Sequence, residues 1–141
     1  MANIHDIVVD CARPASLARF WAEVLDDYAV APYDEAELAR LRSKGINDPE
    51  DDPTVLVESL PGIRPRLFFQ RVPEGKTAKN RVHLDVDAAP GVPFGDERRH
   101  AVRRRADEVI ALGATKLGEG DELGSFWIVL QDPEGNEFCL H

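Results

Sequence analysis

Along the chain, apolar positions recur with a period of two in several short runs and near 3.6 in the stretch that follows each half's first run, and these changes of period mark the elements. Residues 4–11 alternate, with His5, Ile7, Val9 and Cys11 on one face and Asp6, Val8 and Asp10 on the other, which predicts a strand. Pro14 suits the first turn of a helix. Leu17, Phe20, Trp21, Val24 and Leu25 then follow the i, i+3, i+4, i+7, i+8 spacing of one buried stripe. A short strand is expected at 28–31. Residues 34–44 carry a weaker helical pattern, with Leu38 and Leu41 inward and Gly45 as a C-terminal cap. The stretch 47–53 holds Asp48, Glu50, Asp51 and Asp52 beside Pro49 and Pro53. It lacks the glycine and terminal glutamate of an EF-hand and reads as a solvated loop. Strands follow at 54–58 and 66–72, joined by a turn at Pro61 and Gly62.

After a polar stretch at 74–80 the pattern begins again. Residues 82–87 predict a strand carrying His83, 88–94 a Pro/Gly loop, and 96–112 a helix with Val102, Ala106, Val109 and Ile110 on one stripe and Gly113 as its cap. A strand is expected at 114–118. The chain then closes on a hairpin: an apolar run at 126–130, a turn in which Pro133 presets φ and Gly135 accepts φ > 0, and an alternating run from Glu137 to His141. Glu137, Cys139 and His141 share one face of that last strand and Phe138 and Leu140 the other, so one face reads as core and the other as a site. His5-Asp-Ile-Val-Val-Asp10 resembles His83-Leu-Asp-Val-Asp87, and each leads into one amphipathic helix. The implied organisation is a duplicated β-α-β-β-β module in an α+β fold: module one at 1–73 with an insert at 34–53, a linker at 74–80 and module two at 81–141.

Composition narrows the partners. A chain of 141 residues with 43% hydrophobic content is expected to make a single domain. Its 17 basic against 26 acidic residues leave a net charge of −9, which argues against nucleic acid or an anionic membrane as the main partner. The basic run Arg98, Arg99, Arg103, Arg104 and Arg105 lacks interleaved aromatics and reads as a solvated helix face. The sequence opens without a basic region or apolar signal segment, and no apolar run approaches the ~20 residues of a membrane span, so a cytoplasmic protein is expected. Cys11 and Cys139 lack the spacing of a disulfide framework or zinc site and read as free thiols.

The twofold repeat, a histidine on the first strand of each half, and the closing stretch from Asp132 through Pro133, Glu134, Gly135 and Asn136 to Leu140 resemble the vicinal oxygen chelate superfamily. Within it the chain is most similar to glyoxalase-like domains, sharing Phe20-Trp21-Ala22, the stretch from Phe69 to Pro73, and that from Asn80 to Asp85. The resemblance covers essentially the whole chain, least well at 34–53. It implies two modules whose sheets curl round a cup with helices outside, and commonly a homodimer. Metal-dependent relatives, glyoxalase I and extradiol dioxygenases among them, hold a divalent ion in the cup, whereas bleomycin-resistance proteins only bind a compound there.

Carried over by residue, His5 falls on the family's first-strand ligand and His83 on its fifth-strand ligand. Gln70, a neutral amide, occupies the fourth-strand position. The last-strand glutamate, seven residues after the hairpin aspartate, is replaced by Cys139, with Glu137 two residues earlier on the same strand face. Phe68 shares the face of Gln70, Arg81 that of His83, and Trp127 is displaced from the apolar set Phe126, Ile128 and Leu130. The expected site is therefore His5, Phe68, Gln70, Arg81, His83, Trp127, Glu137 and Cys139, binding a small organic molecule without a complete ligand set. The alternative is a metal-dependent lyase, isomerase or dioxygenase in which His5, His83 and Glu137 hold Zn, Ni, Fe or Mn. Further readings are Cys139 as a nucleophile with His83 as base, and a structural dimerisation module.

Overall fold

The computed structural model describes residues 1–61 and 65–141, so the expected turn residue Gly62 lies outside the described residues. The chain divides into two compact units, Met1–Gly75 and Lys76–His141, and the division falls inside the polar stretch 74–80.

Unit one contains β1 (Asp6–Cys11), α1 (Pro14–Val24), β2 (Tyr28–Val30), α2 (Glu35–Ser43), β3 (Thr54–Ser59) and β4 (Arg66–Arg71). The sheet order is β1-β4-β3-β2, with β1 parallel to β4 and the other pairs antiparallel. Register sets Ile7 beside Leu67, Val9 beside Phe69, and Val55 and Val57 on the next strand, and these form the core face. The helix α1 lies on that face because its stripe faces inward. Leu17, Ala18, Phe20, Trp21 and Val24 are buried, and Trp21 meets Phe20 edge-on at 5.6 Å. Each large side chain of that stripe contributes about 2 kcal/mol of apolar burial. The opposite face carries Asp6, Val8, Asp10, Thr54, Leu56, Arg66, Phe68 and Gln70. In the insert, Asp34 accepts a hydrogen bond from the Glu37 N–H at 2.9 Å, capping α2, and Leu41 anchors the helix in the interior. The expected solvated loop is corrected here: Pro49–Asp51 make a 3-10 turn capped by Asp48, and Asp52 is only 2% exposed.

Unit two contains β5 (Leu84–Val86), α3 (Asp96–Ala111), β6 (Thr115–Glu122), β7 (Ser125–Gln131) and β8 (Glu137–Leu140). Its sheet order, β5-β8-β7-β6 with β5 parallel to β8, repeats the order of unit one, so the α+β fold is built from paired β-α-β-β-β modules. Phe126, Ile128, Leu130, Phe138 and Leu140 are buried on the core face, and α3 buries Val102, Ala106 and Val109. Ile110, expected on that stripe, is 37% exposed because it lies at the stripe's edge. The strand expected at 114–118 runs on to Glu122. Its polar, glycine-containing second half pairs with β7 across a bulge between Lys116 and Gly118. Leu123 (φ 51°) and Gly124 (φ 80°) supply the two positive-φ residues of a tight hairpin turn. The basic run is solvated only in part: Arg103 and Arg104 are exposed, whereas Arg98, Arg99 and Arg105 are half-buried. Arg98, 13% exposed, donates to the carbonyls of Ala89 (2.8 Å) and Val92 (2.9 Å). Arg99 pairs with Asp121 at 2.9 Å, and Arg103 reaches Glu119 and lies 4.8 Å over the Phe126 ring. Among the described residues no helix is long and apolar enough to cross a membrane.

Candidate functional site

The side chains that α1 does not cover in unit one are partly consumed by one another. Arg66 grips Asp6 with two hydrogen bonds, 2.7 Å from Nε and 3.1 Å from Nη2, which hold the Asp6 carboxyl below its usual range. Gln70 Nε2 donates to Asp10 Oδ1 at 2.7 Å. Further along the same face, Thr54, Leu56 and Phe68 form the floor of a cavity of about 510 Å³. Ala31, Pro32 and Tyr33 and the insert residues Asp34, Ala36, Glu37 and Arg40 wall it. Buried Asp52 fixes one side: its Oδ2 accepts from the Tyr33 hydroxyl at 2.9 Å and its Oδ1 from the Thr54 N–H at 3.0 Å. Burial first, then the Asp52 carboxylate, push the Tyr33 hydroxyl upward, so it stays protonated and donating.

In unit two, the open face gathers donors of another kind. Asp85 lies opposite Cys139 in the β5–β8 ladder, and Val129 lies opposite Cys139 on β7. His83, Asp85 and Cys139 each place a donor atom within 4.8 Å of the others. His83 Nε2 is 3.3 Å from Asp85 Oδ1, and His141 Nε2 is 3.4 Å from Asp85 Oδ2, so one carboxylate serves two imidazoles. Trp127 stacks at a tilt beside His141, with ring centroids 6.3 Å apart. Its indole lies over Gly120, where a Cβ would fall 2.1 Å from a ring atom, so only glycine admits the ring in this position. Burial, and then the Asp85 charge, push the Cys139 thiol upward. That setting opposes the nucleophile reading of Cys139, which needs a lowered thiol pKa.

The expected site residues fall into these two faces unevenly. Phe68 and Gln70 share the open face of unit one; His83, Trp127 and Cys139 share that of unit two. His5 precedes β1, is 79% exposed at its side chain and joins the Asp6–Arg66 pair, with Nδ1 3.0 Å from Asp6 Oδ2 and 3.2 Å from Arg66 Nη2. By alternation its position belongs with Ile7 and Val9, on the core side, not with Gln70. Arg81 is exposed ahead of β5. Glu137 is on the expected face, but its Oε2 accepts the Asn80 N–H at 2.9 Å and pairs with Lys76 at 3.2 Å, pinning the segment that enters unit two. Those partners, the Asn80 N–H foremost, hold its carboxyl down at about 2. Sequence reasoning passed over Asp85, Tyr33, Arg40 and Asp52. Asp85 was signalled by its two-residue spacing from His83, which puts both on one face; the cavity residues sit in the least matched segment and gave no signal.

A divalent metal held by His5, His83 and Glu137 does not fit this arrangement well, because Glu137 is engaged by Asn80 and Lys76 while the clustered donors are an imidazole, a carboxylate and a thiol.

Comparison with known proteins supplies the wider setting. A family model described as a glyoxalase-like domain matches residues 6–141. No curated protein matches the sequence. Among solved structures, a glyoxalase/bleomycin resistance protein/dioxygenase family enzyme from Burkholderia phytofirmans PsJN aligns at TM-score 0.63 and 16% identity, covering 99% of this chain and 97% of that one. A mutant of the fosfomycin resistance protein FosX from Listeria monocytogenes, complexed with Mn(II) and 1S,2S-dihydroxypropylphosphonic acid, aligns at TM-score 0.63 and 10% identity over 100% and 92% of the two chains. A possible glyoxalase from Bacillus cereus aligns at TM-score 0.58 and 9% identity over 99% and 98%. At these identities the likeness is one of fold.

Proposed function

The chain belongs to the glyoxalase-like domain family of the vicinal oxygen chelate superfamily, and we propose that it binds a small organic molecule against the open face of its first sheet. The observation that carries this reading is the cavity of about 510 Å³ between that face and the insert, a size suited to a drug-sized ligand. Leu56 and Phe68 offer an apolar floor, and Tyr33, Asp34, Glu37, Arg40 and Asp52 supply polar walls. Three of those walls are carboxylates against one guanidinium, and Glu37 already holds Arg40. The lining therefore favours a neutral or cationic ligand with an aromatic or aliphatic body over an anion. Gln70, beside Phe68 on this face, extends the polar rim once Asp10 is counted as its partner.

A titration of the full chain with paired probes, benzylamine against benzoate, followed by amide shifts, tests this reading. Benzylamine is expected to perturb Tyr33, Arg40, Leu56 and Phe68 at least tenfold more tightly than benzoate. Tighter benzoate binding, or no perturbation of these residues by either probe, overturns it.

A second reading, a metal-dependent lyase, isomerase or dioxygenase, draws on the donor cluster at His83, Asp85 and Cys139. There His83 and Cys139 would be ligands, and Trp127 would wall the face. His5, Arg81 and Glu137 would enter only by leaving their present settings. We also take the protein to act as a cytoplasmic homodimer. Val82, Phe94 and Leu123 are exposed in unit two and available for burial by a second copy, and light scattering giving a monomer at micromolar concentration would contradict the dimer.

A further inference from the structure

We infer that Tyr33 sets the ligand class of the first-sheet cavity: its oxygen accepts a hydrogen bond, so the site takes an organic amine or alcohol and rejects the same body with its donor capped. The inference rests on the cavity being a binding site, and it adds which group of the ligand is read. Tyr33 and Asp52 both line the cavity. The Tyr33 hydroxyl donates its one hydrogen to Asp52 Oδ2 at 2.9 Å, which leaves the phenol oxygen with acceptor capacity alone. Burial, and then the Asp52 carboxylate, hold the hydroxyl above its ordinary pKa, so it keeps that hydrogen.

Asp52 is fixed from behind, and this gives the hydroxyl a set orientation. Asp52 Oδ1 accepts the Thr54 N–H at 3.0 Å, and the Asp52 N–H donates to the Pro49 carbonyl at 3.1 Å. Asp48 caps the same turn by accepting the Glu50 N–H at 2.9 Å, and Arg19 of α1 holds the Glu50 carboxylate with two hydrogen bonds. A ligand that needed a hydrogen from Tyr33 would have to draw it off a carboxylate that is 2% exposed, leaving that buried oxygen one partner short. A ligand N–H or O–H meets no such cost. The other polar walls are engaged with one another: Asp34 Oδ1 accepts the Glu37 N–H at 2.9 Å, and the Glu37 carboxylate accepts from Arg40 Nε at 3.1 Å. An acidic lining by itself would favour any cation alike. An acceptor held in one place separates an ammonium that carries hydrogens from a quaternary one, because a site built around a hydrogen bond rejects the analogue that lacks it.

Amide-shift titration of the full-length protein with benzylamine and benzyltrimethylammonium, two cations built on one ring, provides the test. Benzylamine is expected to bind at least tenfold more tightly, and benzyl alcohol to be preferred over benzyl methyl ether in the same sense. Bulk also disfavours a capped probe, so both preferences are measured again in Tyr33→Phe, which keeps the ring and removes the oxygen. There both are expected to fall to about threefold or less, whereas a steric preference would survive. Equal binding of capped and uncapped probes in the wild type, or a preference undiminished in Tyr33→Phe, overturns the inference and leaves the cavity reading standing. The comparison of alcohol with ether in the wild type stands without the variant, so equal affinity overturns the inference whether or not Tyr33→Phe folds. No perturbation of Leu56 and Phe68 by any of the four probes overturns the cavity reading and this inference with it.

Discussion

The two sheets have one strand order and different chemistry on their uncovered faces. In β1 and β4, that face reads Asp6, Val8, Asp10 beside Arg66, Phe68, Gln70; in β5 and β8, Asp85 stands beside Cys139, with His83 and His141 flanking. Aligning the Val9-Asp10 and Val86-Asp87 pairs sets Val8 with Asp85 and Phe68 with Cys139, since each is opposite the other in its own ladder. An apolar pair in one module thus stands where a carboxylate and a thiol stand in the other. On the first face Arg66 neutralises Asp6 and Gln70 donates a hydrogen bond to Asp10, and the insert is added to enclose a cavity. The second has no insert, and its acid is shared by two imidazoles. Duplication of a scaffold therefore fixes where side chains point and leaves their chemistry free to diverge.

Breaking the first face should have the largest effect. Asp52→Ala removes the buried acceptor of both the Tyr33 hydroxyl and the Thr54 N–H, and is expected to cost about 3 kcal/mol. In a domain of this size that lowers the melting temperature by roughly 10 °C by calorimetry. Benzylamine binding should be lost. A melting temperature within a degree of wild type would show that Asp52 does not hold the wall.

Gly120→Ala addresses the second face and should have a smaller effect. The added Cβ meets the Trp127 ring at 2.1 Å, so the indole has to move from its place beside His141. A loss of about 2 kcal/mol and a shifted tryptophan emission are expected, both measurable in one denaturation series. An unchanged spectrum would mean that the ring does not rest on the glycine.

The two modules were largely legible in the sequence because burial on one face enforces a period, and Leu17, Phe20, Trp21 and Val24 or Phe126, Ile128 and Leu130 announce it. The site was less legible for a related reason. His5 and His83 look like counterparts, yet His5-to-Asp10 is one residue longer than His83-to-Asp87, and a one-residue slip moves a strand residue to the other face. Register makes Asp6, not His5, the counterpart of His83. The extension of β6 past Gly118 went unread because Leu123 occupies a positive-φ position that composition assigns to glycine or asparagine. The cavity rests on Asp52, which lies in a run of acids that looks solvated until Tyr33 and Thr54 are found donating to it.

Acid should distinguish the modules more gently. Glu137 has its folded value depressed to about 2 from an unfolded value near 4.3, so the stability it contributes is present above about pH 4.3 and is lost as pH falls toward 2. Glu137→Gln is expected to flatten that part of the stability–pH curve and to cost about 1–2 kcal/mol at pH 7, read from urea midpoints. A mutant curve parallel to the wild type from pH 5 to 2 would refute the assignment of this titration to Glu137.

Whether the two faces take different ligands, an organic amine on the first and a metal ion on the second, is decided by a single amide-shift experiment on one labelled sample: benzylamine first, then zinc. Benzylamine is expected to move the resonances of Tyr33, Arg40, Leu56 and Phe68, zinc those of His83, Asp85, Trp127, Cys139 and His141, and neither is expected to displace the other. Zinc displacing benzylamine, or both moving one common set of resonances, would contradict it.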